Sequence, residues 1–179
     1  MKELPNILTL IRIGLIPLLL IALYMSSVTS YWVAAILFTF AILTDYLDGV
    51  LARSMGAQSS FGRVLDPIAD KLLVASTLMM LVYFDRAPII PAILIVCREI
   101  IVSGLREYLS EFKVSIPVTK LAKIKTAIQF FAILVLILGE EATTIPLLYY
   151  VGEIALWVAA LLTLFTGYAY LKEGFSRIS

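Results

Sequence analysis

Four aspartates carry the most legible chemistry in this chain. Asp45 and Asp48 stand three residues apart, and Asp66 and Asp70 four apart, in segments that are otherwise largely apolar. Read as helix, either spacing places both carboxylates of a pair on one face. Carboxylates at membrane depth cost roughly 2.5–3.5 kcal/mol each when unpaired, and four close together repel one another strongly. Arg53, Arg63 and Lys71 are near enough in sequence to pair with them locally; two divalent cations would cancel all four charges at once. The chain has no histidine and one cysteine, Cys97. A metal site must therefore use hard oxygen ligands, which favours Mg²⁺ or Mn²⁺ over zinc. A general base must be a carboxylate or, less readily, a lysine or tyrosine. Cys97, within an apolar run, reads as a buried, inert thiol.

The elements that position these carboxylates follow from composition. At 179 residues, 61% hydrophobic and with a mean hydropathy of +1.01, the chain is more apolar than a soluble domain of this size has interior to hide. Lipid has to solvate much of its surface. Six runs approach the ~20 residues that span a bilayer: 8–25, 31–52, 66–84, 87–109, 122–138 and 145–171. The expected fold is all-α and integral to the membrane, with six transmembrane helices in one bundle forming a single domain over 1–179. Residues 2–12 are mildly amphipathic and fit either a short interfacial helix or the start of the first span. The first span is not read as a cleavable signal, because another follows almost at once.

Asp66-Pro67 reads as an N-cap followed by proline at the first helical position, and Thr144-Ile145-Pro146 opens the last helix similarly. Pro17 and Pro91 fall inside spans, where proline kinks a helix. With a cytoplasmic N-terminus, Lys2, Arg12, Arg53, Arg63, Lys113, Lys120, Lys123, Lys125, Lys172 and Arg177 all fall on the cytoplasmic side. Only Arg86 lies in an outer loop, and Glu140 and Glu141 occupy another. The positive-inside rule is then satisfied, and both termini and the aspartates are cytoplasmic. A net charge of +1 without a basic tail gives no footprint for nucleic acid.

The spacing around the aspartates is specific. Asp45-x2-Asp48-Gly49-x2-Ala52-Arg53-x8-Gly62-x3-Asp66-x3-Asp70 meets every fixed position of the signature of the CDP-alcohol phosphatidyltransferase family, and the chain resembles that family over nearly its whole length. The resemblance implies a two-metal site with Asp45, Asp48 and Asp66 as ligands. Asp70 contributes to the metals and is the favoured general base. Gly49, Ala52, Arg53 and Gly62 line the CDP pocket, and Asn6, Thr9 and Arg12, in an opening P-N-x-L-T-x-x-R run, help close its nucleotide end. It also implies a homodimer in the bacterial inner membrane.

The acceptor is read from residues outside the signature. Arg98-Glu99 to Arg106-Glu107 ends the fourth span, and Lys123-Ile-Lys125-Thr126-Ala-Ile-Gln129 opens the fifth. Arg106, Lys123 and Lys125 suit a phosphate-bearing acceptor, although positive-inside topology alone also places lysines there. Arg98 lies deeper, where a salt bridge to Glu99 competes with a substrate role. These runs resemble the branch of the family that joins CDP-diacylglycerol to sn-glycerol 3-phosphate; Ala122 departs from the glycine usual there. The nearest alternatives are the family's cardiolipin-forming and inositol-phosphate branches. A non-catalytic cation transporter is the reading from another class, disfavoured because the aspartates gather at one end of the bundle instead of the midplane.

Overall fold

The computed structural model describes residues 4–55, 60–112 and 119–176. Among these residues it is entirely helical: α1 Leu4–Tyr24, α2 Val28–Met55, α3 Ser60–Tyr83, α4 Ile89–Glu111, α5 Lys120–Thr143 and α6 Leu147–Ser176. The helices close a ring in the order α1–α2–α5–α6–α4–α3, so α1 packs against both α2 and α3. Within the ring lie Leu19, Leu23, Phe38, Leu78, Ile95, Ile133 and Leu156, all essentially inaccessible. Small residues bring the backbones close. Ala34, Ala132 and Ala159 are fully buried, and a Cβ added at Gly152 on α6 would come within 2.8 Å of Leu136 on α5.

The outward faces are apolar as well. Leu18 and Ile21 on α1, Ile100 and Ile101 on α4, and Leu161 and Phe165 on α6 are all exposed, a surface suited to hydrocarbon and not to water. Among the described residues, two helices, α5 and α6, are long and apolar enough to cross a membrane, and the described parts of α1 and α2 include apolar stretches, Thr9–Tyr24 and Val28–Thr44.

Several local expectations are corrected. α1 is continuous from Leu4, so the amphipathic stretch begins the first helix and forms no separate interfacial one. α3 begins at Ser60, which places Pro67 inside it and makes Asp66 a helical residue instead of an N-cap. Pro91 falls in the first turn of α4, where its missing N–H interrupts no hydrogen bond and no kink is needed. Thr144 closes α5 as a left-handed C-cap (φ 60°) instead of opening α6. Cys97 is exposed on the outward face of α4, with its sulfur on the apolar periphery.

The end of the bundle farthest from the aspartates is tied by Arg86. Asp85 adopts a left-handed conformation (φ 54°) after α3, and the amides of Asp85 and Arg86 donate to the carbonyls of Val82 and Leu81 at 3.1 and 2.7 Å. This is a Schellman closure, and it delivers the next side chain into the bundle. The Arg86 guanidinium lies 3.8 Å over the Tyr31 ring of α2 and donates from Nη2 to the Leu138 carbonyl at 3.1 Å. Its Nη1 stands 3.4 Å from Glu141. Gly139, at φ 50°, breaks the helical path of α5 there, and a Cβ on it would lie 2.6 Å from Arg86 Nη2. Replacing Arg86 with Met is expected to destabilise the protein by about 2 kcal/mol, the scale of a lost hydrogen bond to a charged group, with a lowered melting temperature in detergent.

Candidate active site

The side chains of Asn6, Asp45, Asp48, Gly49, Ala52, Arg53, Gly62, Arg63 and Asp66 lie outside the described residues, as does the whole of Lys113, but the helices carrying the aspartates are described. Asp45 stands seventeen residues after Val28, where α2 begins, and Asp66 stands seventeen residues before Tyr83, where α3 ends. Each is therefore about 26 Å along its helix from that terminus. The Arg86–Tyr31 contact brings those two termini together. Asp48 is one turn farther from that end than Asp45, and Asp70 one turn nearer than Asp66. All four motif positions consequently fall within about 10 Å of one another along the bundle axis.

Asp70 is the motif aspartate whose side chain is described. Arg12 Nη1 of α1 donates to its Oδ1 at 3.1 Å, with the Arg12 side chain fully buried and that of Asp70 44% exposed. Sequence proximity had pointed to Arg53, Arg63 and Lys71 as partners. Packing of α1 against α3 supplies Arg12 as well, fifty-eight residues away. Thr9, one turn earlier on α1, is also buried. Lys71 bends back along α3 to donate from Nζ to the Pro67 carbonyl at 2.7 Å. Its charge is within electrostatic reach of Glu99, Asp70 and Arg106.

The basic residues of α4 and α5 divide into two groups. Arg106 and Lys123 are exposed, with the Arg106 guanidinium 5.7 Å from the Tyr170 ring centre. Arg98 and Lys125 are tucked inside, at 12% and 4% side-chain exposure. Glu99 Oε1 accepts from Arg98 Nη1 at 3.0 Å and also from Lys125 Nζ. Arg98 Nε donates to the Thr163 carbonyl at 3.1 Å, and Nη2 to Thr166 Oγ1 at 3.2 Å. Gly167 leaves room for this, since a Cβ there would lie 3.0 Å from Arg98 Cγ. The contributions of Thr163, Thr166 and Gly167 escaped the sequence reading. Their only signal is a trio of small or hydroxylated residues on one face of an apolar helix.

The donor set fits divalent cations. The four aspartate positions stand at neighbouring levels of two helices, and a set of oxygen-only ligands suits a hard cation.

Residues 2–165 match the family model described as CDP-alcohol phosphatidyltransferase. A Rickettsia felis protein named CDP-diacylglycerol–glycerol-3-phosphate 3-phosphatidyltransferase is 48% identical over 171 residues, covering 96% of this chain and 94% of that protein. A Bacillus subtilis protein of the same name is 36% identical over 193 residues, covering 99% and 98%. In fold, the chain resembles the crystal structure of phosphatidylinositol phosphate synthase from Mycobacterium tuberculosis in its apo form. The TM-score is 0.62 at 16% identity, with 96% of this chain and 86% of that one covered.

The Arg12–Asp70 pair is open to a direct test. In a double-mutant cycle of Arg12→Met and Asp70→Asn, followed by unfolding in detergent, a coupling energy of about 1–2 kcal/mol is expected. Strict additivity would show that the pair contributes nothing to stability.

Proposed function

The chain belongs to the CDP-alcohol phosphatidyltransferase family, and from that premise we propose that it transfers the phosphatidyl group of CDP-diacylglycerol to sn-glycerol 3-phosphate, giving phosphatidylglycerophosphate and CMP. The carrying observation is the near-full-length match, at 48% identity, to relatives named for that reaction. The charges of Asp70, Glu99 and Arg106 are all felt at Lys71, in keeping with acceptor-binding residues near the aspartate motif.

Asp45, Asp48, Asp66 and, in part, Asp70 would hold two divalent cations, Mg²⁺ or Mn²⁺. When bound, these cations supply charge neutralisation to the pyrophosphate and the departing CMP. Gly49, Ala52, Arg53 and Gly62 line the CDP pocket, and Asn6 and Thr9 close its nucleotide end. Arg12, beyond that role, orients the Asp70 carboxylate. Arg106, Lys123 and Lys125 attract the acceptor's phosphate, and Arg98 supports them from deeper in the bundle. Asp70 takes the proton from the acceptor hydroxyl. The hydroxyl oxygen bonds to the lipid-bearing phosphorus as the bond to CMP breaks, and CMP leaves as an anion. One displacement of this kind inverts the configuration at phosphorus.

The same reading places residues 1–179 in the bacterial inner membrane as one domain of six spans, working as a homodimer. Both termini and the site face the cytoplasm. The exposed apolar faces of the helices and the one-sided distribution of Lys and Arg support it.

Purified protein in nanodiscs, given CDP-diacylglycerol and a panel of acceptors, tests the proposal. Glycerol 3-phosphate should yield product and CMP, chelation should abolish turnover, and Mg²⁺ or Mn²⁺ should restore it. Asp70→Asn should lower kcat by about 10²–10⁴-fold, the scale of general base catalysis. Product formed only from phosphatidylglycerol or inositol phosphate would overturn the acceptor assignment.

A further inference from the structure

Outside the aspartate motif, the most fully built polar constellation joins α4, α5 and α6 around Glu99. Two cations converge on its Oε1, Arg98 from the same helix and Lys125 from α5. Their bonding differs. Each of the three Arg98 nitrogens donates to a protein acceptor, on Thr163, Glu99 or Thr166. Lys125 has three N–H donors, and among the described residues it donates to Glu99 alone.

A lysine ammonium on a flexible four-carbon stem, surrounded by apolar helices, swings toward water unless something holds it. Glu99 is what holds it. Glu99 is itself fixed by Arg98, whose guanidinium is braced on α6 by Thr163, Thr166 and the space beside Gly167. Two cations around one carboxylate leave the cluster with a net positive charge, so an anion is still attracted. One turn beyond Lys125, Gln129 is 97% buried, being 3% exposed, and its Oε1 has no hydrogen-bond partner among the described residues. Residues four apart on a helix share a face, so an unused acceptor stands beside an ammonium with unused donors. A ligand carrying both a phosphate and a hydroxyl would satisfy both.

We propose that Glu99 is a positioning residue for the acceptor: it holds the Lys125 ammonium where the acceptor's phosphate docks, with Arg98 as the strut that fixes Glu99 and not a substrate contact. The proposal rests on the phosphatidyltransferase reading above, with glycerol 3-phosphate as acceptor. The simpler alternative is that Glu99 merely neutralises Lys125 and competes with the phosphate for it.

The test compares full-length wild type, Glu99→Gln and Glu99→Asp in nanodiscs. It reads KM for each substrate, kcat, melting temperature and the thermal stabilisation conferred by glycerol 3-phosphate. If Glu99 positions Lys125, Glu99→Gln raises KM for glycerol 3-phosphate about tenfold, or 1.4 kcal/mol. KM for CDP-diacylglycerol then stays within about twofold despite the lower melting temperature that loss of the two ion pairs brings, stabilisation by glycerol 3-phosphate is lost, and Glu99→Asp recovers part of the affinity. An unchanged or lowered KM for glycerol 3-phosphate in Glu99→Gln overturns the proposal in favour of simple neutralisation. Parallel rises in both KM values with a fallen melting temperature, not recovered by Asp, overturn it in favour of a purely structural role. The reaction itself is judged separately. Wild type that is stabilised by glycerol 3-phosphate yet makes no product from it refutes the acceptor reading, while loss of that stabilisation in Glu99→Gln still supports the role of Glu99. Wild type that is not stabilised by glycerol 3-phosphate at all overturns both.

Discussion

An ionised side chain inside an apolar helix bundle has to find its counter-charge or its hydrogen bonds across a helix interface, because neither lipid nor packed Leu and Ile supplies them. Here nearly every buried cation does so on another element of the ring. Arg12 of α1 reaches Asp70 of α3, and Lys125 of α5 reaches Glu99 of α4. Arg98 of α4 is braced on α6, and Arg86, just after α3, is braced on α2 and α5. These links run between helices that already pack by apolar contact. They fix register and rotation where apolar packing alone tolerates exchange. Breaking any one by removing a single partner leaves a desolvated group behind, which is why such pairs are costly to disrupt even where their net contribution is small.

The same constraint separates the two ends of the molecule. At one end, Arg86 finds its partners on protein, through the Leu138 carbonyl, the Tyr31 ring and an ion pair with Glu141, although its Nη1 makes no hydrogen bond among the described residues. At the other end the protein's own groups do not close the account. Among the described residues, Lys125 has donors to spare and Gln129 Oε1 lacks a partner. Incomplete polar satisfaction in an interior otherwise built to satisfy its charges is the physical mark of a site completed by ligands.

How much of this was legible in sequence follows the same division. The aspartates, their helices and the clustering of basic residues near the start of the fifth helix came from spacing and hydropathy, which are local properties. The pairing of Asp70 with Arg12 did not, because Arg12 is fifty-eight residues distant and only the packing of α1 on α3 joins them. The ring order, with α1 against both α2 and α3, is likewise a tertiary fact. Asp66-Pro67 was misread because proline is usual at a helix start. In α3 it is tolerated at the eighth residue of the helix, in a region where the side chain of Lys71 turns back to the Pro67 carbonyl. Cys97 was misread because burial statistics for soluble proteins reward an apolar run with an interior position, whereas here the apolar periphery is where such a run can also face.

On the proposed reading, the arrangement around Glu99 also bears on how one acceptor is chosen over another. A pocket that merely accommodates an alcohol distinguishes its candidates weakly, because an added or missing apolar group changes binding by only about 1–3 kcal/mol. A pocket containing a held, partly unsatisfied ammonium acts differently. An alcohol without a phosphate enters it only by leaving that ammonium desolvated and unpaired, and rejection then scales with the cost of the unmet charge. Tethering Lys125 to Glu99 keeps this penalty in force, since a free lysine would escape it by swinging to water. Restraint of the cation, as much as its charge, is therefore what would make the acceptor's phosphate a requirement of the site.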